Sequence, residues 1–144
     1  MKDMDEKFFL CVEIGGTNLR YGVVTKNYTL KQFEKIPSKG LSDAKNKGEY
    51  LKQLLDPVLE EHGGVSNFRC ISLSLASLMD RDRTICYNSP NIRGFDNLPL
   101  KEILERLWGL PVIMERDVNT SLLYDLWKNH MGQEGIVIGV YIGT

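Results

Sequence analysis

The sequence has few of the residues that build metal clusters or disulfide frameworks. It contains three cysteines and two histidines among 144 residues. The cysteines, Cys11, Cys70 and Cys86, are odd in number and far apart, which excludes a paired disulfide framework and the close spacing of a zinc site. We therefore expect buried thiols in a protein of the reducing cytoplasm.

An excess of charge of one sign and long apolar runs are also missing. The formal net charge is -1, and Lys and Arg form no run, so we expect neither nucleic acid nor a membrane surface as a partner. No apolar stretch reaches the roughly 20 residues of a transmembrane helix. The charged first seven residues lack the apolar core of a signal peptide. Residues 1–144 predict a single domain with a real core.

The first stretch with clear structural and functional signals is residues 8–24, FFLCVEIGGTNLRYGVV. Two apolar, β-prone runs flank the turn Gly15-Gly16, and this pattern predicts a hairpin. Glycines without Cβ atoms let backbone N–H groups approach an anion closely. Thr17 and Asn18 add side-chain donors, and the Glu13 carboxylate could hold a hydrated Mg²⁺. An ordinary hairpin turn is the alternative, since neither the Walker A nor the Rossmann spacing is present.

The rest of the chain predicts an α/β fold. A third strand over residues 28–36 would complete a β-meander, and the polar stretch 37–48 predicts a loop. Periodic and continuous apolar patterns then predict alternating elements, in chain order helix 49–62, strand 68–78, helix 99–108, strand 111–115, helix 117–130 and strand 136–142. Pro57 should kink or restart the first helix, with Asp56 as a possible new N-cap. This order indicates a sheet whose later strands are parallel.

Two polar positions suit ligand chemistry. Asp117 follows a predicted strand and opens a helix, at the carboxyl end of the sheet where α/β proteins bind ligands. Its side chain suits either a helix N-cap or a base that accepts the proton of a substrate hydroxyl. The loop around Asn91 clusters amides beside aromatic rings, which suits sugar hydroxyls, although the same residues are common turn formers. The charged run 80–83 predicts a solvated turn.

Four stretches, taken in order, resemble the N-terminal lobe of the ROK family, which comprises sugar kinases and related repressors with an actin/hexokinase-like (ribonuclease H-like) fold. They are EIGGTNLR at 13–20, SPN at 89–91 followed by GF at 94–95 and PL at 99–100, LWGLPV at 107–112 followed by ERDVN at 115–119, and YIGT at 141–144. The resemblance spans nearly the whole chain. The Arg-Asp-Val-Asn form of the third stretch is most similar to D-allose kinase-like members.

The resemblance implies phosphorylation of a hexose of the D-allose, glucose or N-acetylmannosamine type, dependent on ATP and Mg²⁺. Asp117 would be the general base, and Glu13 would lie near the metal. The sugar ligands would be Asn91, Arg116 and Ser77. The phosphate contacts would come from Gly15, Gly16, Thr17, Asn18, Gly143 and Thr144.

Several departures from the family pattern bear on this expectation. Glu13 replaces the usual Asp, Arg116 replaces an amide that usually helps to hold the sugar, and residues 74–77 replace a Gly-x-Pro-Gly strand. The second lobe, with its sugar contacts and its Cys-rich zinc site, would follow Thr144. We therefore expect zinc only in that lobe and little kinase activity from this chain alone. A homodimer is a further expectation from the resemblance.

Two other functions compete with the kinase. The first is the sugar-sensing domain of a ROK repressor without its DNA-binding part. Only seven residues precede Phe8, too few for a helix-turn-helix, and the retention of Asp117 also favours the kinase. The second is a non-catalytic actin-like or acetate kinase-like interaction domain, against which the loop around Asn91 argues.

Overall fold

The computed structural model describes residues 7–131 and 135–142. Within them, strands and helices alternate after an opening set of three strands. The elements are β1 Phe8–Ile14, β2 Asn18–Val24, β3 Leu30–Pro37, α1 Lys39–Asp43, α2 Lys47–Glu61, a 3₁₀ turn Val65–Asn67, β4 Phe68–Leu75, β5 Leu78–Met79, β6 Cys86–Asn88, α3 Leu100–Trp108, β7 Val112–Arg116 and α4 Asp117–Lys128. No helix in this part of the chain is long and apolar enough to cross a membrane.

The main sheet has five strands in the order β3-β2-β1-β4-β7. Strands β1 to β3 are antiparallel neighbours, as short turns require. Strand β4 pairs with β1, and β7 with β4, both in parallel, because α2 and α3 carry the chain back across the sheet. The predicted meander and the predicted parallel strands are therefore both confirmed. Strands β5 and β6 form a separate two-stranded sheet.

One face of the sheet carries the core. Alternate residues of β1 and β4 point to this face in register, and all are at most 2% exposed: Leu10, Val12 and Ile14 beside Ile71, Leu73 and Leu75. Apolar residues of α2 and α3 join the same buried cluster, among them Leu51, Leu55 and Leu104. Apolar burial is the main stabilising term in folding. The buried face therefore fixes where β1, β4 and β7 end relative to one another.

The opposite face of the sheet is covered only in part. It carries small or polar side chains in its centre, with Cys11 beside Ser72 and Glu13 beside Ser74. Helix α4 lies on this side, and none of its residues is buried. The ring of Trp127 on α4 stacks on Tyr28, with ring centroids 5.2 Å apart, yet remains 56% exposed. A groove therefore runs between α4 and the sheet.

The prediction of a loop over residues 37–48 is wrong, because α1 lies within it and α2 begins at Lys47. Asn46 caps α2, and its side-chain oxygen accepts the Glu49 N–H at 3.0 Å. This cap lies earlier than the periodicity of apolar residues indicates. Polar composition hid α1, which buries only Leu41, and the first two residues of α2.

Helix α2 continues through Pro57 to Glu61, so the predicted restart of the helix at this point is wrong. Pro57 lies on the exposed side of the helix, where water can satisfy the backbone carbonyl that proline leaves without a donor. Asp56 is not an N-cap. Its carboxylate accepts a hydrogen bond of 2.8 Å from the indole N–H of Trp108 and thereby joins α2 to α3.

The predicted strand 136–142 is also wrong. These residues adopt no regular secondary structure, and Ile136, Ile138 and Ile142 are 93%, 82% and 95% exposed. A β-prone sequence becomes a strand only where another strand supplies its hydrogen bonds. Within the described ranges, no strand lies beside this segment. The predicted strand 68–78 likewise ends early, at Leu75, before β5 begins at Leu78.

Lys47 closes the carboxyl end of α1. Its residue is 7% exposed, and its ammonium donates to the carbonyls of Leu41 at 2.9 Å, Ser42 at 2.7 Å and Ala44 at 2.8 Å. The last carbonyls of a helix have no partner within it, so Lys47 supplies one. Burial lowers the pKa of the Lys47 ammonium, because the charged form loses part of its hydration.

We predict that Lys47→Met lowers the free energy of unfolding by about 2–4 kcal/mol, because buried carbonyls lose a charged donor. Urea unfolding at neutral pH measures this change. Lys45→Met is the matched control, since Lys45 is exposed, and it should change stability by less than about 0.5 kcal/mol. Equal effects of the two substitutions would contradict the capping role.

Candidate functional site

The three mutually parallel strands of the sheet, β1, β4 and β7, end side by side. Ile14 of β1 pairs with Leu75 of β4, and Leu75 pairs with Arg116 of β7. The next residues along the chain, Gly15, Ala76 and Asp117, therefore leave the sheet at one edge. This edge lies at the carboxyl ends of parallel strands, where open α/β sheets bind their ligands. The expected place of Asp117 is confirmed.

Ser38 stabilises the turn between β1 and β2 by two hydrogen bonds. The Gly15 N–H donates to the Asn18 carbonyl at 3.0 Å and closes the turn. The Ser38 hydroxyl donates to the Gly15 carbonyl at 2.6 Å, and the Ser38 N–H donates to the Thr17 carbonyl at 2.9 Å. Ser38 is fully buried. Sequence reasoning missed it, because a serine in a predicted loop gives no signal of this role.

The backbone donors of this turn remain available. Within the described residues, the N–H groups of Gly16 and Thr17 donate to no protein acceptor. Unpaired N–H groups at successive residues of a tight turn form the kind of concavity that binds anions. The arrangement fits the phosphate contacts predicted for Gly15, Gly16, Thr17 and Asn18. The other predicted phosphate contacts, Gly143 and Thr144, lie outside the described residues.

The turn also touches the loop around Asn91. A Cβ atom added to Gly16 would lie 2.7 Å from the Asn91 Cβ and 3.2 Å from its carbonyl oxygen. Real Cβ atoms do not come so close, so the lack of a side chain at Gly16 is what lets the two loops meet. The predicted phosphate loop and the predicted sugar loop are thus in direct contact.

A cavity of about 270 Å³ lies at this junction. Its lining residues come from the edge of the sheet and the neighbouring loops: Ala76, Ser77, Leu78, Asn88, Pro90, Asn91, Arg116 and Asp117. We call it the acceptor cavity. The structure thus brings together all three predicted sugar ligands and the predicted base.

Ser77 is the least available of these side chains. It is 6% exposed, and its hydroxyl lies 2.5 Å from the Ser89 hydroxyl. It also donates to the carbonyls of Leu78 at 3.1 Å and Asn88 at 3.2 Å. Ser77 therefore ties β5 to the loop after β6, and its predicted contact with sugar would need one of these bonds to open.

A larger cavity of about 610 Å³ lies between α4 and the open face of the sheet. Its charged lining residues include Glu13, Arg20 and Asp117, and Tyr21, Phe33 and Tyr124 supply aromatic walls. Asp117 borders both cavities. A group that enters from either side therefore meets the same carboxylate.

Asp117 is not the helix N-cap. Arg116 occupies that position with extended backbone, and Asp117 is the first residue of α4. One Asp117 carboxylate oxygen accepts the Val118 N–H at 2.8 Å. Carboxylates in the first turn are stabilised by the helix dipole. In the described part of the chain, Asp117 takes part in no ion pair.

Glu13, the predicted metal contact, is paired with Arg20. The Arg20 guanidinium lies 2.5 Å from the Glu13 carboxylate, and both side chains are about half-exposed. Among the described residues, no three His, Cys, Asp or Glu side chains lie together as a metal cluster. Mg²⁺ is commonly held by one or two carboxylates together with substrate phosphates. The donor set at Glu13 fits that type of site.

The charged turn at residues 80–83 makes specific contacts within itself and with β7. One carboxylate oxygen of Asp80 accepts the N–H groups of Thr84 at 2.6 Å and Ile85 at 2.8 Å, and the other accepts the Thr84 hydroxyl at 2.8 Å. The turn holds Arg83 at φ 56° and directs its guanidinium to Glu115 of β7, at 3.0 Å. The predicted solvated turn is confirmed, since residues 81–83 are exposed, but the contacts of Asp80 and Arg83 were not predicted.

The comparisons with known proteins agree with this geometry. The sequence model of the ROK family matches residues 9–144. The chain belongs to the ROK family. It is 27% identical over 126 residues to a glucokinase of Halalkalibacterium halodurans, covering 87% of this chain and 38% of that protein. It is 33% identical over 115 residues to a beta-glucoside kinase of Listeria monocytogenes, covering 80% and 36%.

Solved structures of this ROK family share the fold. A ROK family glucokinase from Streptomyces griseus, solved with glucose and AMPPNP, aligns with a TM-score of 0.68 at 23% identity and covers 83% of this chain and 36% of that one. A ROK family transcriptional regulator aligns with a TM-score of 0.67 at 16% identity, covering 83% and 30%. The chain thus spans less than half the length of these relatives.

We predict that Gly16→Ala displaces the Asn91 loop, because the new Cβ overlaps the Asn91 side chain. The free energy of unfolding should fall by about 1–3 kcal/mol, and the backbone amide signals of residues 88–92 should shift in NMR spectra. Adding Asn91→Gly removes the overlapping Cβ and should recover part of the loss. Unchanged signals at 88–92 in Gly16→Ala would contradict the contact.

A second prediction concerns pH. The hydrogen bond from the Ile85 N–H, with those from Thr84, lowers the pKa of Asp80. The folded pKa lies below the unfolded one, so the stabilisation is present above the unfolded value, about 3.9, and is lost as the pH falls through the folded value. Wild type and Asp80→Asn should therefore differ in urea midpoint at pH 7, and this difference should shrink on acidification.

Asp82→Asn is the control for this measurement, since Asp82 is exposed in the same turn. Its midpoint should follow that of the wild type at every pH. A difference between wild type and Asp80→Asn that stays constant from pH 7 to pH 3 would show that ionised Asp80 does not stabilise the turn.

Proposed function

We propose that this chain is the acceptor-binding lobe of a hexose kinase, which transfers a phosphoryl group from ATP to a sugar hydroxyl. One observation carries the proposal: the Asp117 carboxylate borders the acceptor cavity together with Asn91 and Arg116, and the Gly16 turn touches Asn91. A base, polar groups for hydroxyls and a turn with free N–H groups thus meet at one edge of the sheet.

The roles follow from the chemistry of each group. Phosphoryl transfer depends mainly on positioning and on charge placement, with a base to take the hydroxyl proton. The Asp117 carboxylate is the acceptor for that proton. The Asn91 amide can donate to one sugar hydroxyl and accept from another, and the Arg116 guanidinium offers further donors to oxygen atoms of the acceptor.

The turn after β1 is the side from which phosphate approaches. The N–H groups of Gly16 and Thr17, with the side chains of Thr17 and Asn18, would contact the phosphates of ATP. Glu13 would lie near Mg²⁺, which neutralises phosphate charge when it is bound. Since Arg20 already pairs with Glu13, that contact would reach the metal through water or by partial exchange of the ion pair.

The comparisons support this function without naming the sugar. Relatives described as kinases of glucose, of beta-glucosides and of N-acetylmannosamine all match this chain. We therefore propose an acceptor of the glucose, D-allose or N-acetylmannosamine type. A sugar-sensing domain of a repressor is the alternative, because a regulator shares the fold. Such a domain would bind sugar but would have no need of Asp117 as a base.

The proposal predicts that this chain binds one of these hexoses at the acceptor cavity. In an NMR titration with glucose, D-allose and N-acetylmannosamine, the shifts should centre on residues 88–92 and 116–118. Asn91→Ala should weaken binding about tenfold, because it removes a hydrogen-bonding side chain worth about 1–1.5 kcal/mol. Asn27→Ala, in an exposed turn, is the control. Shifts confined to other residues would contradict the proposed cavity.

A transfer assay separates the kinase from the sensor. After Mg²⁺ and ATP are added with the bound sugar, any phosphorylation of the sugar should disappear in Asp117→Asn, whereas binding of the sugar should persist. We expect a low rate from this chain alone. Equal transfer by wild type and Asp117→Asn would contradict the role of Asp117 as the base.

A further inference from the structure

The Glu115 carboxylate, beside the proposed base, accepts two hydrogen bonds and forms one ion pair. One oxygen accepts the Arg116 N–H at 2.9 Å and the Asn119 side-chain amide at 2.9 Å. The other lies 3.0 Å from the Arg83 guanidinium. The Glu115 side chain is 16% exposed, so these contacts form where water screens charge only weakly.

These contacts bracket Asp117 along the chain. Arg116 directly precedes it, and Asn119 lies two residues after it in the first turn of α4. Glu115 thus joins the last residues of β7 to the first turn of the helix. A shift of the Glu115 carboxylate would therefore move the backbone on both sides of Asp117.

Arg83 lies in a part of the chain outside β7 and α4. It belongs to the turn between β5 and β6, whose shape is fixed by hydrogen bonds to the Asp80 carboxylate. The Arg83 side chain is 56% exposed at its own position, yet its guanidinium reaches the mostly buried Glu115. Removal of the Arg83 charge would therefore leave the Glu115 carboxylate without a counter-charge in a place with little access to water.

The charge of Arg83 also affects which partners are available to the Arg116 guanidinium. Arg116 borders the acceptor cavity, and within the described ranges it forms no ion pair. Two carboxylates, Glu115 and Asp117, flank Arg116 in the sequence. Because Arg83 already pairs with Glu115, one of these two carboxylates is not available to the Arg116 guanidinium.

We propose that Arg83 is a positioning residue that acts through Glu115: it holds the start of α4, and with it Asp117, and it keeps Arg116 available to the acceptor. The inference rests on the proposed function for its link to sugar binding. Its structural part, the coupling of the β5–β6 turn to the first turn of α4, stands on the contacts alone.

The test compares Arg83→Met with Arg81→Met, a matched control at an exposed arginine of the same turn. In Arg83→Met, hydrogen exchange of the backbone amides at 120–123, the first that donate to carbonyls within α4, should rise about tenfold, and the NMR signals of the Asn119 side-chain amide should shift. The melting temperature should change by less than about 2 °C, because the Arg83 side chain is 56% exposed and Glu115 keeps its donors from Arg116 and Asn119. Arg83→Lys should restore most of the wild-type behaviour.

The sugar-binding readout uses whichever hexose binds the wild-type chain. Its Kd should rise roughly five- to tenfold in Arg83→Met, the loss expected for one charge-assisted contact, and by less than twofold in Arg81→Met. Glu115→Gln should raise the Kd as well, because a neutral amide no longer holds Arg83.

The outcomes separate the two claims. Wild-type exchange at 120–123 and unshifted Asn119 signals in Arg83→Met would overturn the positioning role, whether or not a sugar binds. A wild-type chain that binds none of the hexoses would count against the proposed function, and the exchange data would still decide the coupling of Arg83 to α4.

Discussion

Burial of one face of the five-stranded sheet is the constraint on which the candidate site depends. Leu10, Val12 and Ile14 of β1 pack in register with apolar residues of β4 beneath α2 and α3. A slip of one residue would turn these side chains to the open face, so the register is strongly specified. Because the strands cannot slip, β1, β4 and β7 end together, and Gly15 and Asp117 leave the sheet at one edge.

Local patterns predicted most of this architecture. The hairpin of residues 8–24, the meander and the place of Asp117 at a strand end follow from apolar runs, turn glycines and helical periodicity. These signals are carried by neighbouring residues in the chain. Helix α3 likewise ends at Gly109, with φ 65° in the left-handed region, a cap that depends only on the glycine itself.

The errors arose where the structure depends on contacts that the local sequence pattern does not reveal. Residues 136–142 have strand composition, but strand formation depends on a neighbour that this part of the structure does not supply. Ser38, Lys47 and Arg83 read as ordinary polar loop residues, because their roles depend on carbonyls or carboxylates elsewhere in the chain. Pro57 shows the opposite case, in which tertiary packing of α2 overrides an unfavourable local residue.

The electrostatics of the site depend on two arginine–glutamate pairs. Three carboxylates, Glu13, Glu115 and Asp117, lie at or near the same edge of the sheet, and together they would repel a phosphate group. Arg20 neutralises Glu13 and Arg83 neutralises Glu115, so, among residues 7–131 and 135–142, Asp117 is the one of the three that has no ion-pair partner. The arrangement leaves a single uncompensated carboxylate at the junction of the two cavities, where a base for a sugar hydroxyl would be needed.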